Sequence, residues 1–405
     1  MRIALATPAL WSNVYCPVGS GQRAIRTLEV LAARSGAAPL SVCVSVDNLR
    51  HWFPDPVILY AVGLHLSRHA HRFRVLRLST YSASLTKMHE HQPTFPILEE
   101  IHFNPEEYDT SPWTQKKTLT LFVDAPRLHV LRFARHIEGL VLSWANITTL
   151  HGTKSSMDEF LKALRLMPNI RVCSFEQLQR AAHMDTPDDP EVVLHKNMCH
   201  VHLDEFYQDL EQGSLLDWCI FPSLETLTLD NVVHLQLSDF LARSTPPLRK
   251  LIVGPKPDAR TCTTQLTRTL ELTSSLTELD LSLCDDSTTQ EFCKAFSASR
   301  SFLPKLERFT QSWWHYDVPL NDEMHSYTRS TLLGPLIELL LETAASRLAV
   351  APAKFKYQLR AVRIVPLEEG TVIFVPRRVQ ALLEELRQDG VDVQIGTSYE
   401  FAVSS

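Results

Sequence analysis

Along this chain a phrase of three apolar positions recurs, spaced apolar-x-x-apolar-x-apolar. It reads Phe73-Arg-Val-Leu76-Arg-Leu78, Leu98-Glu-Glu-Ile101-His-Phe103, Leu128-His-Val-Leu131-Arg-Phe133 and Ile137-Glu-Gly-Leu140-Val-Leu142. It returns as Ile170-Arg-Val-Cys173-Ser-Phe175, Met198-Cys-His-Val201-His-Leu203, Leu224-Glu-Thr-Leu227-Thr-Leu229, Leu248-Arg-Lys-Leu251-Ile-Val253 and Leu276-Thr-Glu-Leu279-Asp-Leu281. Shorter copies follow at Leu306-Glu-Arg-Phe309 and Leu359-Arg-Ala-Val362-Arg-Ile364. The last two apolar positions alternate, as a strand with one buried face requires. Most steps between middle residues fall between 24 and 33 residues, room for one strand, one helix and two turns. The step from 131 to 140 is short enough that one of those strands lacks its helix, and the step from 309 to 362 carries an insertion.

Between the strands the period changes to that of helices. Gln22 to Arg34 places Ile25, Leu28 and Leu31 on one face, and Gly36 suits the stop. Leu40 to Val46 alternates as a strand, and Ile58 to His69 reads as a helix. Ser156-Met-Asp-Glu159 is a capping box before Phe160, Leu161, Leu164 and Leu166. Ser287-Thr-Thr-Gln290 is a second, before Phe292 and Phe296. Leu235 to Ala242 and Val379 to Leu386 are amphipathic, the latter closed by Gly390.

A strand phrase repeating at this period marks a leucine-rich-repeat solenoid. The predicted fold is α/β: a curved parallel sheet with helices on its convex side. Spacing varies, and only Cys284 stands where a regular repeat carries its turn-bonding Asn or Cys, so the solenoid is irregular. The expected layout is an N-terminal cap over 16–70, repeats over 71–365 and a C-terminal cap over 366–405, with 1–15 apart. Asp185-Thr-Pro-Asp-Asp-Pro-Glu191 reads as an exposed loop.

Composition narrows the function. The 405 residues carry a formal charge of −6, which disfavours the basic surface that nucleic acid requires. The longest apolar stretch, Pro56 to Leu66, is too short to span a bilayer, so no membrane partner is expected. Eight scattered cysteines form no Cys-x-x-Cys pair, and Pro8 breaks the apolar start. Both point to free thiols in the cytoplasm or nucleus. The sequon at Asn146 is then silent.

Residues Arg2-Ile-Ala-Leu-Ala-Thr-Pro-Ala-Leu-Trp-Ser-Asn-Val14 resemble the closing helix of the F-box in mushroom-type fungal F-box proteins. Later landmarks follow in that family's order. Arg34-Ser-Gly36 precedes Pro39-Leu-Ser-Val42, and Leu142-Ser-Trp-Ala-Asn-Ile-Thr-Thr-Leu150 follows. Leu215-Leu-Asp217 precedes Phe221-Pro-Ser-Leu-Glu225, Phe240-Leu-Ala-Arg-Ser244 precedes Pro247-Leu248, and Leu386-Arg-Gln-Asp-Gly-Val-Asp-Val393 comes last. The resemblance implies a substrate receptor of a Skp1–cullin ubiquitin ligase, with residues 1–15 the remnant of the F-box C-terminal helix. The Leu-Pro-led front half of the box is not in this sequence, so tight Skp1 binding is not expected of it. Leu10 and Trp11 should instead pack on the first helix. The alternative function is a leucine-rich-repeat scaffold or adaptor with no ubiquitin role.

Catalytic motifs are missing. There is no Gly-x-Ser-x-Gly, Walker loop, His-Glu-x-x-His or dinucleotide glycine fingerprint, so no enzyme and no cofactor is expected. His200 and His202 beside Cys199, and His89-Glu-His91, are the densest candidate metal ligands. Neither group has a second ligand pair at zinc spacing, and no metal site is expected. The expected binding face is the concave sheet surface, made by the residues between apolar positions. It comprises Arg77, Glu100, His102, Arg132, His200, His202, Thr226, Thr228, Lys250, Glu278, Asp280, Arg308 and Arg363. Mixed in sign and rich in hydrogen-bonding groups, that face suits a folded protein substrate. Trp313 and Trp314 are the candidate apolar anchors beside it.

Overall fold

A computed structural model of the chain describes residues 7–45, 56–79, 82–104, 119–134, 140–178, 192–205, 215–230, 237–254, 263–283, 286–299, 301–313, 337–347, 359–366 and 377–395. The chain divides into two compact units, Met1–Asp185 and Thr186–Ser405. The division falls at the start of the acidic, proline-rich stretch 185–191, which lies outside the described residues along with Cys284 and Trp314.

Unit 1 is built on strands β1 (Asn13–Pro17), β2 (Leu40–Ser45), β3 (Phe73–Ser79), β4 (Glu100–Phe103), β5 (Leu119–Phe122), β6 (Val130–Ala134), β7 (Leu140–Leu142), β8 (Thr149–Thr153) and β9 (Val172–Leu178). Seven of these pair in parallel in the order β1-β2-β3-β4-β6-β8-β9. Helices α1 (Gln22–Arg34), α2 (Pro56–His69), α3 (Ser82–His91) and α4 (Met157–Leu166) connect them. Unit 2 holds β10 (Val193–Leu194), β11 (His200–Glu205), β12 (Cys219–Ile220), β13 (Thr226–Asp230), β14 (Lys250–Gly254), β15 (Glu278–Leu283), β16 (Arg308–Trp313), β17 (Ala361–Pro366) and β18 (Asp392–Ile395). Its parallel sheet runs β11-β13-β14-β15-β16-β17-β18. The unit 2 helices are α5 (Leu237–Ser244), α6 (Thr263–Glu271), α7 (Asp286–Ala298), α8 (337–347) and α9 (Arg377–Gln388). Each unit is thus a mixed α/β body in which strands add to the sheet in chain order, a topology compatible with a solenoid.

The apolar phrase has a defined job at each position. Its first residue closes a turn. In Phe95-Pro-Ile-Leu98, Met167-Pro-Asn-Ile170 and Phe221-Pro-Ser-Leu224 the last amide donates to the first carbonyl, at 3.4, 3.3 and 3.2 Å. Proline at the second position presets the φ such a turn needs. The chain then enters the sheet through two successive amides that donate to one carbonyl of the preceding repeat. Arg249 and Lys250 share the Glu225 carbonyl, Thr277 and Glu278 share that of Arg249, and Glu307 and Arg308 share that of Thr277. The second and third apolar residues face the core. Leu227, Leu229, Leu251, Leu279 and Leu281 are all at most 1 % exposed, as the phrase predicts.

Helices cover that apolar face. The Phe160 ring of α4 meets Phe175 of β9 edge-on at 4.5 Å, and Phe292 of α7 stacks on Phe309 of β16 at 4.9 Å. Such burial supplies most of the favourable energy of folding. Arginines tie helix ends across repeats. Arg72 donates to the carbonyls of Ala32, in the last turn of α1, and Ala38, beyond it, at 3.0 Å each. Arg347 of α8 donates to the carbonyls of Phe296 and Phe302 at 2.9 and 2.7 Å, with its guanidinium over the Phe296 ring. The insertion after β16 therefore contributes a helix docked beside α7.

Several expectations are confirmed and several change. α1 spans the predicted residues, and Gly36 and Gly390 take the left-handed φ of +55° and +84° that favours glycine at a helix stop. The buried face of α1, however, is Ala24, Leu28 and Ala32 rather than Ile25 and Leu31. Ser156 and Glu159 form the reciprocal capping box, at 3.2 and 2.9 Å. Leu166 in the same helix is 46 % exposed, since α4 ends there. α7 already includes Asp286, so Ser287 lies in its first turn and is not the cap.

At the short step from 131 to 140 no α-helix is described, as the spacing predicts, but the second strand does not take the next place in the main sheet. β7, with Leu140, leaves the main sheet and pairs with β5. The strand beside β6 is β8, centred on Leu150. Its phrase, Ile147-Thr-Thr-Leu150-His-Gly152, ends in glycine rather than an apolar residue. A Cβ on Gly152 would stand 2.3 Å from the Phe175 ring, which fills that core position from the next strand. The N-terminal segment also differs from the F-box helix that the resemblance implies. Pro8–Trp11 is a single 3-10 turn and the chain then runs as strand β1, parallel to β2. Leu10 is 63 % exposed and does not pack on α1, whereas Trp11 lies under the Arg34 guanidinium at 4.8 Å.

Candidate interaction surface

Strand alternation turns one set of residues away from the helices, and parallel register lines them up across each sheet. In unit 1 the central outward row is Tyr15, Cys43, Arg77, His102, Arg132, His151 and Ser174, on β1, β2, β3, β4, β6, β8 and β9. Glu100, two residues earlier on β4 and so on the same face, joins two members of that row. Its Oε1 accepts from His102 Nε2 at 2.5 Å and from Arg132 Nε at 3.1 Å. Burial works against the carboxylate, but the His102 and Arg132 donors outweigh it and hold the Glu100 carboxyl below its usual range. Burial first, and then Arg77 and Arg132, push the His102 imidazole below its ordinary value against the pull of Glu100. A neutral imidazole donating Nε2–H to a carboxylate fits both directions. An open hollow of about 300 Å³ lies alongside, lined by His102, Asn104, Arg132, His151, Ser174 and Glu176 among others.

Unit 2 carries its own rows. One runs His200, Thr226, Lys250, Glu278, Arg308, Ala361 and Asp392, and the next runs His202, Thr228, Ile252, Asp280, Thr310, Arg363 and Gln394. Glu278 is the hub of the first. It forms an ion pair with Lys250 at 3.6 Å on one side and accepts from the Arg308 guanidinium on the other. His202 Nε2 meets Asp230 Oδ2 at 2.9 Å, one strand over. Asp280 differs from its neighbours, because its Oδ1 is buried with no hydrogen-bond partner. Burial, with Asp230 adding repulsion, raises its pKa to about 6 despite the opposing charge of Lys250. A hollow of about 150 Å³ opens between Lys250, Asp280, Arg308 and Arg363.

The predicted positions therefore all lie on outward strand faces where the structure describes them. Arg77, Glu100, His102 and Arg132 gather in unit 1; His200, His202, Thr226, Thr228, Lys250, Glu278, Asp280, Arg308 and Arg363 gather in unit 2. Trp313 ends β16, its side chain falls outside the described residues, and Trp314 lies wholly outside them. His151, Ser174 and Glu176 belong to the unit 1 surface and escaped the sequence reading. The signal for His151 was present in Ile147-x-x-Leu150, but glycine at the third apolar place hid it.

Three of the six candidate metal ligands are otherwise engaged. His202 bonds Asp230, the Cys199 thiol donates to the Asn197 carbonyl at 3.3 Å, and Glu90 pairs with Lys87. Among the described residues no three His, Cys, Asp or Glu side chains gather to hold a metal ion, and no helix is long and apolar enough to cross a membrane. No protein-family model matches the chain, and no curated protein matches it.

Proposed function

We propose that this chain is a non-catalytic protein-binding module, an irregular leucine-rich-repeat solenoid of the F-box receptor type. In this reading it works in the cytoplasm or nucleus and holds a protein substrate for a Skp1–cullin ubiquitin ligase. The observation that carries the binding role is the set of outward rows. Successive parallel strands hold hydrogen-bonding side chains of both signs in fixed register over open hollows. A rigid polar face of that kind suits a folded partner, and it spreads contacts too widely to form one small-molecule pocket. The family link rests on the ordered sequence landmarks given above.

Affinity capture from cell lysate with mass spectrometry tests both parts. E278K/D280K/R308E should abolish capture of the main partner, and E278K/R308E, which spares the buried Asp280, should do so with the melting temperature nearly unchanged. Recovery of Skp1 and cullin with the wild-type chain supports the ligase role. A second reading, a scaffold with no ubiquitin role, draws on the strand at Asn13–Pro17 where an F-box helix would lie. It is favoured if the partner is captured and its ubiquitination does not change when the chain is removed.

A further inference from the structure

Of the outward rows, the central one of unit 1 is the least balanced in charge. Arg77, His102, Arg132 and His151 stand in register on β3, β4, β6 and β8. At roughly 4.8 Å per strand the row is about 14 Å long. Glu100 reaches it from below and engages Arg132 through Nε. Among the described residues, neither Arg77 nor the terminal nitrogens of Arg132 meet a further carboxylate. Both arginines are exposed. On the strand-entry side of this cationic row runs a second row, Val75, Glu100, Val130, Thr149 and Val172, in which three half-buried valines alternate with Glu100 and Thr149. A cationic line and a row of spaced valines thus lie side by side on one face. The corresponding row of unit 2 has no such bias, since it places Asp280 and Arg363 together.

We propose that this face of unit 1 takes an extended acidic segment of the protein partner. The segment's Asp or Glu carboxylates would sit on Arg77 and Arg132, and its apolar side chains on Val75, Val130 and Val172. An extended chain alternates its side chains, so a sequence mixing acidic and apolar residues presents both kinds to such a surface. Guanidinium groups bind carboxylates through paired N–H donors, which gives direction as well as attraction. Two arginines are too few for a nucleic-acid backbone, whose binding grows with the number of phosphates neutralised. This inference rests on the protein-binding reading above and assigns the class of segment recognised.

The test uses the full chain and a fluorescein-labelled peptide of alternating Glu and Val, read by anisotropy. Lys/Val, phosphoserine/Val and single-stranded RNA probes run in parallel. The Glu/Val peptide should bind, weaken with added salt, and weaken about tenfold or more in R77Q/R132Q. E278K/D280K/R308E should leave it unchanged. If R77Q/R132Q melts early, R77E alone serves, because Arg77 is exposed and meets no carboxylate among the described residues. Failure of the Glu/Val peptide to bind, equal binding by the arginine variants, or tighter binding of the phosphoserine or RNA probe overturns the proposal. Should the captured partner depend on unit 2 while the acidic peptide fails, the protein-binding reading survives and this inference does not. Should capture be insensitive to both sets of substitutions, both fall.

Discussion

Asp280→Asn should stabilise this protein near neutral pH and lose that effect in acid. Asp280 sits at the centre of β15, flanked in register by Ile252 and Thr310, with Oδ1 buried and unpartnered. Its pKa stands at about 6 against an ordinary 3.8. Moving the proton affinity by about two pH units costs the charged form roughly 3 kcal/mol, at about 1.4 kcal/mol per tenfold. The side chain is only partly buried, so about 1–3 kcal/mol is the working range. The folded state holds this proton more tightly than the unfolded chain does. The stabilising share is therefore full below about pH 4, falls as pH rises through about 6, and stays lost above that. Asparagine keeps the shape without the charge. At pH 7.5 the variant should exceed wild type by about 1–3 kcal/mol, and at pH 4 the two should nearly coincide. Urea denaturation of both proteins across that range gives the difference, in which the titrations of other groups cancel. Hydrogen exchange at the Leu251, Leu279 and Phe309 amides assigns it to unit 2. A difference of the same size at both pH values, or a loss of stability at pH 7.5, would show that burial of this carboxylate carries no cost.

Three further outcomes concern packing and caps. Leu251→Ala, fully buried between Leu227 and Leu279, should cost about 2–5 kcal/mol by denaturation and loosen exchange protection in β13 and β15; a loss under about 1 kcal/mol contradicts the core register. Gly152→Ala should cost about 1–3 kcal/mol, because the Phe175 ring that meets the new methyl is itself held by Phe133 and Phe160. Gly152→Ala/Phe175→Leu should recover part of that loss, whereas additive losses in a double-mutant cycle would place the strain elsewhere. Ser156→Ala should remove the reciprocal cap of α4 at a cost of about 1 kcal/mol, and a change in melting temperature no larger than that of an exposed Ser20→Ala control argues against the cap.

The sequence by itself determined the strands and their inner faces. The spacing of Leu224, Leu227 and Leu229 encodes a turn residue and two core residues within one local segment, so nothing distant is needed to read it. Helix stops at Gly36 and Gly390 and the box at Ser156 were legible for the same reason, since they concern bonds within a few residues. The tertiary structure decided what depends on a neighbouring strand. Leu140 carries a good phrase but pairs aside with β5, while Leu150, with a poorer one, joins the main sheet because Phe175 supplies the bulk that Gly152 lacks. Ile25 and Leu31 have the right period, yet Ala24 and Ala32 face the core of α1, because which arc of a helix is covered depends on where the sheet lies. On the outward face the residue types could be listed from alternation. Their chemistry could not, because the Glu100 bridge to Arg132 and the charges of Lys250 and Asp230 around Asp280 involve side chains about 30 to 50 residues apart, brought close by parallel register.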